Sequence, residues 1–255
     1  MLLAIDVGNT STVLGMYRDD ELVASWRVAT DRRRMSDEYA VLLGRLLELE
    51  GLEPPSEAIL SSVVPPVGPE LSDALSRYWG VRARLVTAEL VAPLLVVDTD
   101  NPREVGADRM VNAVAALDYE GEAFIVVDFG TATNFDVVVR PNRLLGVALA
   151  PGPGVAAEAL FAHAAKLPRV DLVAPEHAIG RNTVSALQSG LVFGYASMVD
   201  GMVERLAAEI EEEHGRPVVI ATGGFTEVVR PHAKHIDISD PRLTLRGLRL
   251  LAERA

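Results

Sequence analysis

A carboxylate that ends an apolar run and precedes a glycine flanked by hydroxyl and amide side chains occurs twice in this chain. The first copy is Ile5-Asp6-Val7-Gly8-Asn9-Thr10-Ser11-Thr12-Val13, and the second is Val127-Asp128-Phe129-Gly130-Thr131-Ala132-Thr133. Glycine at such a turn lets an anion approach bare backbone N–H groups, and the Asn, Ser and Thr side chains add short donors. A carboxylate beside those donors would repel a phosphate unless a cation lay between them, so the chemistry calls for a nucleotide together with a metal ion. Either copy alone also reads as a tight β-hairpin turn, for which Gly, Asn and Thr are ordinary choices. Asp6 and Asp128 stand 122 residues apart in a chain of 255, and this near half-chain spacing favours a duplicated phosphate-binding domain over two unrelated hairpins.

Other stretches carry weaker chemistry. Gly106-Ala107-Asp108-Arg109 reads either as a plain first helical turn, with Asp108 favouring the macrodipole, or as a site where Asp108 takes a proton from an alcohol while Arg109 pairs with a substrate anion. Only two lysines are present, Lys166 and Lys234, and neither follows a glycine-rich loop, so a Walker A loop is excluded. Gly152-Pro153-Gly154-Val155-Ala156-Ala157 imitates a dinucleotide fingerprint, with Asp171 at a suitable distance. Pro153 removes a needed N–H, however, and Pro168 interrupts the following strand, so the loop is expected to open a helix instead. Gly223-Gly224 after a strand either lets a nucleoside lie flat on the backbone or makes a simple strand-to-helix turn. His232 and His235 lie in a polar stretch with no carboxylate of matching pattern, which reads as a solvated loop, and Glu211-Glu212-Glu213 reads as a solvent-facing helix end.

The whole composition narrows the class. A hydrophobic fraction of 49% gives a globular chain, and a net charge of −12 argues against nucleic acid or an anionic membrane as partner. Cysteine is absent, which removes disulfides and thiolate metal sites. The start, Met1-Leu2-Leu3-Ala4-Ile5-Asp6, lacks a basic leader region, and no apolar run approaches the roughly 20 residues of a bilayer span; a cytoplasmic protein is expected.

The elements that must position these residues follow from periodicity. Residues 2–7, 12–17 and 21–28 are expected as an antiparallel meander, with Leu22, Ala24, Trp26 and Val28 alternating with Val23, Ser25 and Arg27. The basic loop Asp31-Arg32-Arg33-Arg34 leads to Ser36 as a candidate N-cap, and Tyr39, Leu42, Leu43, Leu46 and Leu49 form a helical stripe. A strand over 57–63, a helix over 68–79 and a strand over 81–86 complete the first half, followed by the loop Asp98-Thr99-Asp100-Asn101-Pro102 and a helix over 107–119. In the second half, strands over 123–127, 135–139 and 144–149 precede a helix from Pro153 to Lys166 and a long, broken helical region over 182–213. A strand over 218–221 and a final helix capped by Thr244 close the chain. Domain boundaries are expected at 1–117 and 118–255.

Four segments together, Asp6-Val7-Gly8-Asn9-Thr10, Asn101-Pro102-Arg103-Glu104-Val105-Gly106-Ala107-Asp108-Arg109, Asp128-Phe129-Gly130-Thr131-Ala132-Thr133 and Ala221-Thr222-Gly223-Gly224, resemble type III pantothenate kinase in order and along the whole length. The resemblance implies an α/β fold of the acetate and sugar kinase, Hsp70 and actin superfamily: two duplicated ribonuclease H-like domains of βββαβαβα type, facing each other across a nucleotide-binding cleft, in a homodimer. It implies transfer of the ATP γ-phosphoryl to pantothenate with Mg2+ and a monovalent cation, K+ or NH4+. By the same resemblance Asp6 to Val13 form the first phosphate loop, with Asp6 placed for a water-bridged magnesium ion, Thr131 binds ATP and Asp128 ligates the monovalent cation. Gly106, Ala107, Asp108, Arg109 and Thr183 match substrate contacts, with Asp108 as proton acceptor, and Thr99 stands at a further substrate-contact position. Two positions depart from the family pattern: Thr99 stands where an aromatic residue is frequent, and Asn134 where a second Thr is usual. Two rivals are another small-molecule kinase of the superfamily and a nucleotide-dependent regulatory protein without catalysis.

Overall fold

Strand β1 (Leu2–Val7) sits at the centre of a five-stranded sheet because its residues are apolar enough to be covered on both sides. The computed structural model describes residues 1–164 and 167–254, in two units: one of Met1–Ala115 with the C-terminal helix, the other of Ala116–Arg242. In the first unit β2 (Ser11–Arg18), β3 (Glu21–Ala29), α1 (Ser36–Leu49), β4 (Glu57–Ser62), α2 (Val67–Trp79), β5 (Ala83–Leu85), α3 (Ala88–Val91), β6 (Val96–Val97) and α4 (Ala107–Ala116) follow in order. The sheet runs β3-β2-β1-β4-β5, with β2 antiparallel to β1 and β3, and β4 parallel to β1 and β5.

Alternation along β1 decides which face carries chemistry. Leu3, Ile5, Val7 and Leu60 point into a core built with Tyr39, Leu43 and Leu47 of α1 and Leu71 and Leu75 of α2. Asp6, one residue out of phase, therefore belongs to the opposite face with its cross-strand partners Val13 and Ser61. That face is where the last helix packs, against β1, β2 and β4.

The second unit repeats the plan with β7 (Ala123–Phe129), β8 (Ala132–Val139), β9 (Arg143–Pro151), α5 (Pro153–His163), α6 (Thr183–His214), β10 (Val218–Gly223), α7 (Thr226–Val229) and β11 (Ile238–Ser239). Its strands lie in the order β9-β8-β7-β10-β11 with the same directions as the first sheet. Both second strands even carry an irregularity at the same place, between Met16 and Tyr17 and between Val137 and Val138. The duplication inferred from two short motifs thus extends to sheet order, direction and bulge.

Several expectations change. The last helix, α8 (Leu243–Arg254), belongs to the first unit and not to the second half. Leu245 packs over Gly15, Arg249 NH1 reaches Asp20 Oδ1 at 2.5 Å and Arg84 NH2 donates to Ala252 O at 2.5 Å. Thr244 is not its cap but donates to Asn112 Oδ1 at 2.8 Å. Ser36 is the first residue of α1 rather than its cap; its N–H goes to Glu70 Oε2 at 2.7 Å, and Glu38 Oε2 accepts from Met35 N at 2.9 Å.

The broken helical region is one continuous helix of 32 residues. Tyr195, Ala196, Val199, Val203 and Ile210 keep an apolar stripe running past its glycines. His235 does find a carboxylate, with Nε2 2.9 Å from Glu204 Oε1, and His232 lies edge-on to Phe193. The end of the expected helix at Lys166 falls outside the described residues. Among the described residues no helix is long and apolar enough to cross a membrane.

Helices α4 and α8 approach so closely that a Cβ at Gly247 would collide with the Val111 carbonyl. Gly247→Ala is therefore expected to destabilise the chain by about 1–3 kcal/mol through overpacking. Gly201→Ala in α6, where a Cβ meets nothing within 4 Å, should be neutral or stabilising by up to about 1 kcal/mol. Urea unfolding midpoints of the two variants check the contrast.

Candidate active site

At the first turn the chain leaves β1 after Asp6-Val7 and re-enters as β2 at Ser11, held by a Gly8 N to Ser11 O hydrogen bond of 3.1 Å. The end of β3 closes over it: Thr30 N donates to Thr10 O at 3.1 Å and Thr30 Oγ1 to Gly8 O at 2.7 Å. Thr12, directly across from Val7 and buried at 1% exposure, shares a 3.0 Å hydrogen bond with the Thr30 hydroxyl. Thr12 is thus a structural pin beneath the turn, while Asn9 and Thr10 are exposed above it.

The second turn is built alike. Gly130 N donates to Ala132 O at 3.0 Å, and Gly152 N to Thr131 O at 2.9 Å, which lashes the start of α5 to the turn. Thr133 occupies the position equivalent to Thr12, across from Phe129, and its hydroxyl lies 2.8 Å from Tyr195 OH; that phenol donates in turn to Pro151 O. Asp128 lies level with Asn134 on β8 and Thr222 on β10, as Asp6 lies level with Val13 and Ser61. Gly223 has a φ of +92°, and a Cβ there would stand 2.5 Å from Asp128 Oδ1, so bare backbone is required where that carboxylate rests. Gly223 and Gly224 then turn the chain from β10 towards α7.

Asp108 stands in the first turn of α4, in the unit that holds Asp6. A Cβ at Gly106 would meet Asp108 Oδ1 at 2.5 Å and Val63 Cγ1 at 3.6 Å, so the carboxylate rests over bare backbone next to the carboxyl end of β4. Carboxyl ends of parallel strands are where open α/β sheets bind ligands. Burial raises the Asp108 pKa above the usual carboxylate value of 3.8, against the opposing pull of the Arg109 N–H, 2.9 Å away, and the Arg109 charge.

A protein-family model described as type III pantothenate kinase matches residues 2–205. Type III pantothenate kinases of Thermus thermophilus and Deinococcus radiodurans are 55% and 51% identical over 250 residues, 97% of this chain and 97% and 94% of theirs. That of Geobacter sulfurreducens is 47% identical over all of this chain and 99% of its own. The chain belongs to the type III pantothenate kinase family. Two solved structures share the fold at low identity: the polyphosphate/ATP-glucomannokinase of an Arthrobacter strain (TM-score 0.51, 12% identity, 100% of this chain and 99% of that one) and an ethanolamine utilization protein of Carboxydothermus hydrogenoformans (0.55, 16%, 98% and 89%).

For a type III pantothenate kinase the donor set around both acidic turns is rich in hard oxygens. Ser61 Oγ, level with Asp6, and Asn134 Oδ1, level with Asp128, are buried and have no hydrogen-bond partner among the described residues. Oxygen ligands of this kind next to a carboxylate suit hard cations such as Mg2+, so the residues fit the divalent ion expected with a kinase's ATP. Thr99, between β6 and the short 3-10 turn Pro102–Glu104, likewise holds a buried hydroxyl without a hydrogen-bond partner among the described residues. Thr183 is the exposed first residue of α6, about 18 Å along the helix axis from Tyr195, so the structure does not bring it to the second turn.

Sequence reasoning missed Thr30, Ser61, Tyr195 and Asp136. Ser61 and Asp136 had a signal, a polar residue inside an apolar strand; Asp136 is fully buried two residues from Asn134 on the same face of β8. Thr30 and Tyr195 had none, since their roles depend on partners 18 and 62 residues away.

Tyr195→Phe removes the hydroxyl that satisfies Thr133 and Pro151, and is expected to cost about 1–3 kcal/mol in denaturant unfolding. Asp108→Asn keeps an oxygen for the Arg109 N–H while deleting a charge that burial opposes. Because the folded pKa is raised, the contribution of Asp108 to stability is complete below 3.8 and is lost as pH rises through the folded value. Thermal melts should therefore place Asp108→Asn above wild type at pH 7, with the two converging as pH falls towards 3.8.

Proposed function

We propose that this chain is an ATP-dependent pantothenate kinase, which transfers the γ-phosphoryl group of ATP to the primary alcohol of pantothenate, the first step towards coenzyme A. The observation that carries the chemical assignment is Asp108, a carboxylate with a raised pKa at the head of α4 beside the carboxyl end of β4. In this reading the turn from Asp6 to Val13 and Thr131 of the second turn bind the ATP phosphates. Backbone N–H groups and short hydroxyls are the donors. Gly106, Ala107, Arg109, Thr99 and Thr183 hold pantothenate, with Arg109 facing its carboxylate.

Asp108 orients the attacking alcohol and accepts its proton late, as the oxygen–phosphorus bond forms and the β–γ bridge breaks to release ADP. Its raised pKa makes the proton transfer less uphill than for an ordinary carboxylate. Asp6 with Ser61 would hold magnesium through water, and Asp128 with Asn134 the monovalent cation; together these ions supply positive charge against the phosphates.

A homodimer is part of the proposal. Leu149 of β9 and Val155 and Leu160 of α5 leave 57%, 45% and 38% of their surface exposed, apolar area that a second copy would cover. The net charge of −12 supports small-molecule partners rather than nucleic acid or anionic lipid.

The deciding assay measures ADP release with and without pantothenate and K+. Pantothenate-dependent release is expected, and Asp108→Asn should lower kcat by about 100-fold or more while MgATP still binds. Turnover that persists in the variant, or release that responds to a sugar or acetate in place of pantothenate, would overturn the assignment.

A further inference from the structure

Three consecutive arginines link β3 to α1, and the structure gives them different environments. Arg33 is paired with Asp31 at 3.4 Å, and its backbone N–H, donating to the same carboxylate oxygen at 3.0 Å, is the main cause that holds the Asp31 pKa down, with the guanidinium adding to it. Arg34 lies over the Tyr39 ring, 5.3 Å from its centroid. Arg32 alone turns to the phosphate turn: its NH2 donates to Asn9 Oδ1 at 3.0 Å. Among the described residues this guanidinium meets no carboxylate, so its charge is held at the turn by a neutral amide and is not cancelled there. On the other flank Arg27 Nε donates to Ser11 Oγ at 3.1 Å. A chain with net charge −12 and two lysines, neither in this region, thus places two guanidinium groups against one Asp-X-Gly turn.

We infer that Arg32 is a ligand of the nucleotide's phosphate chain, presented by Asn9, and that Arg27 holds the turn in shape through Ser11. The inference rests on reading the turn from Asp6 to Val13 as the ATP phosphate loop. A guanidinium has five N–H donors in a rigid fork, and Asn9 occupies one of them. The remaining donors suit phosphate oxygens, for which Arg is the preferred bidentate partner. Phosphoryl transfer needs positive charge around the triphosphate, and this turn contains no lysine to provide it. Asn9 then has a role distinct from that of its neighbours: it aims a cation, whereas Thr12 pins the strand from below.

The test is equilibrium binding of MgATP and of adenosine to the full-length wild type, Arg32→Ala, Arg32→Lys and Arg33→Ala. Arg32→Ala is expected to weaken MgATP binding about tenfold or more, the scale of a lost charge-assisted hydrogen bond, with adenosine unchanged. Arg32→Lys should recover part of the loss, and Arg33→Ala, which removes the same charge from the same loop, should stay within about twofold of wild type, as screening of an exposed charge would have it. MgATP affinity lost equally in Arg32→Ala and Arg33→Ala would reduce the effect to net charge. Equal loss for adenosine would reduce it to a loosened turn, and unchanged MgATP affinity in Arg32→Ala would remove the role altogether; each overturns the inference. Failure of the wild type itself to bind MgATP would overturn the functional reading as well, and is told apart because it appears without any substitution.

Discussion

A carboxylate on the central strand of a buried sheet is tolerated only if the strand's alternation turns it away from the apolar side. In β1 that condition puts Leu3, Ile5 and Val7 into the core with α1 and α2 and leaves Asp6 on the other face. In β7 it puts Ile125, Val127 and Phe129 against α6 and leaves Asp128 on the face of Asn134 and Thr222. A register slip of one residue would drive each carboxylate into hydrocarbon, at a cost of several kcal/mol or more. Each carboxylate therefore also fixes the pairing of its sheet, and the turns inherit their positions from it.

The two units meet the same constraint with different parts. Beneath each turn a buried threonine, Thr12 or Thr133, is pinned by a second hydroxyl, but the pin comes from the next strand in one case and from a long helix in the other. Level with each aspartate stands a hydroxyl on the parallel neighbour, Ser61 or Thr222. Beyond that shared frame the units diverge. The first carries the buried Asp108 and the arginine loop; the second carries the buried Asn134 and Asp136. Divergence of this kind is what a duplicated fold permits once sheet order and register are secured.

Asp108 illustrates how stability and chemistry pull apart. Burial at the head of α4 disfavours its charged form, so the ionised group costs folding free energy at neutral pH, and the Arg109 N–H and charge offset only part of that cost. A position chosen for stability alone would hold Asn or an exposed Asp as an N-terminal turn residue. That cost is concentrated on the one carboxylate to which the proposed function assigns the proton.

The sequence by itself determined the two acidic turns, the half-chain repeat, most strands and helices to within a few residues, and the segment Gly106–Arg109, because each is written in local residue types and periods of 2 or 3.6. It also carried the family resemblance that the comparisons bear out. Only the tertiary structure decided that α8 completes the first unit, that Ser36 and Thr244 serve other partners than their own helices, and that α6 runs unbroken. It alone placed Thr30, Tyr195 and Arg32 at the turns they hold. The physical reason is range: propensity and alternation act over a few residues, whereas a hydroxyl 62 positions away or a helix 230 residues after the strand it covers is selected by packing, and packing leaves no local mark in the chain.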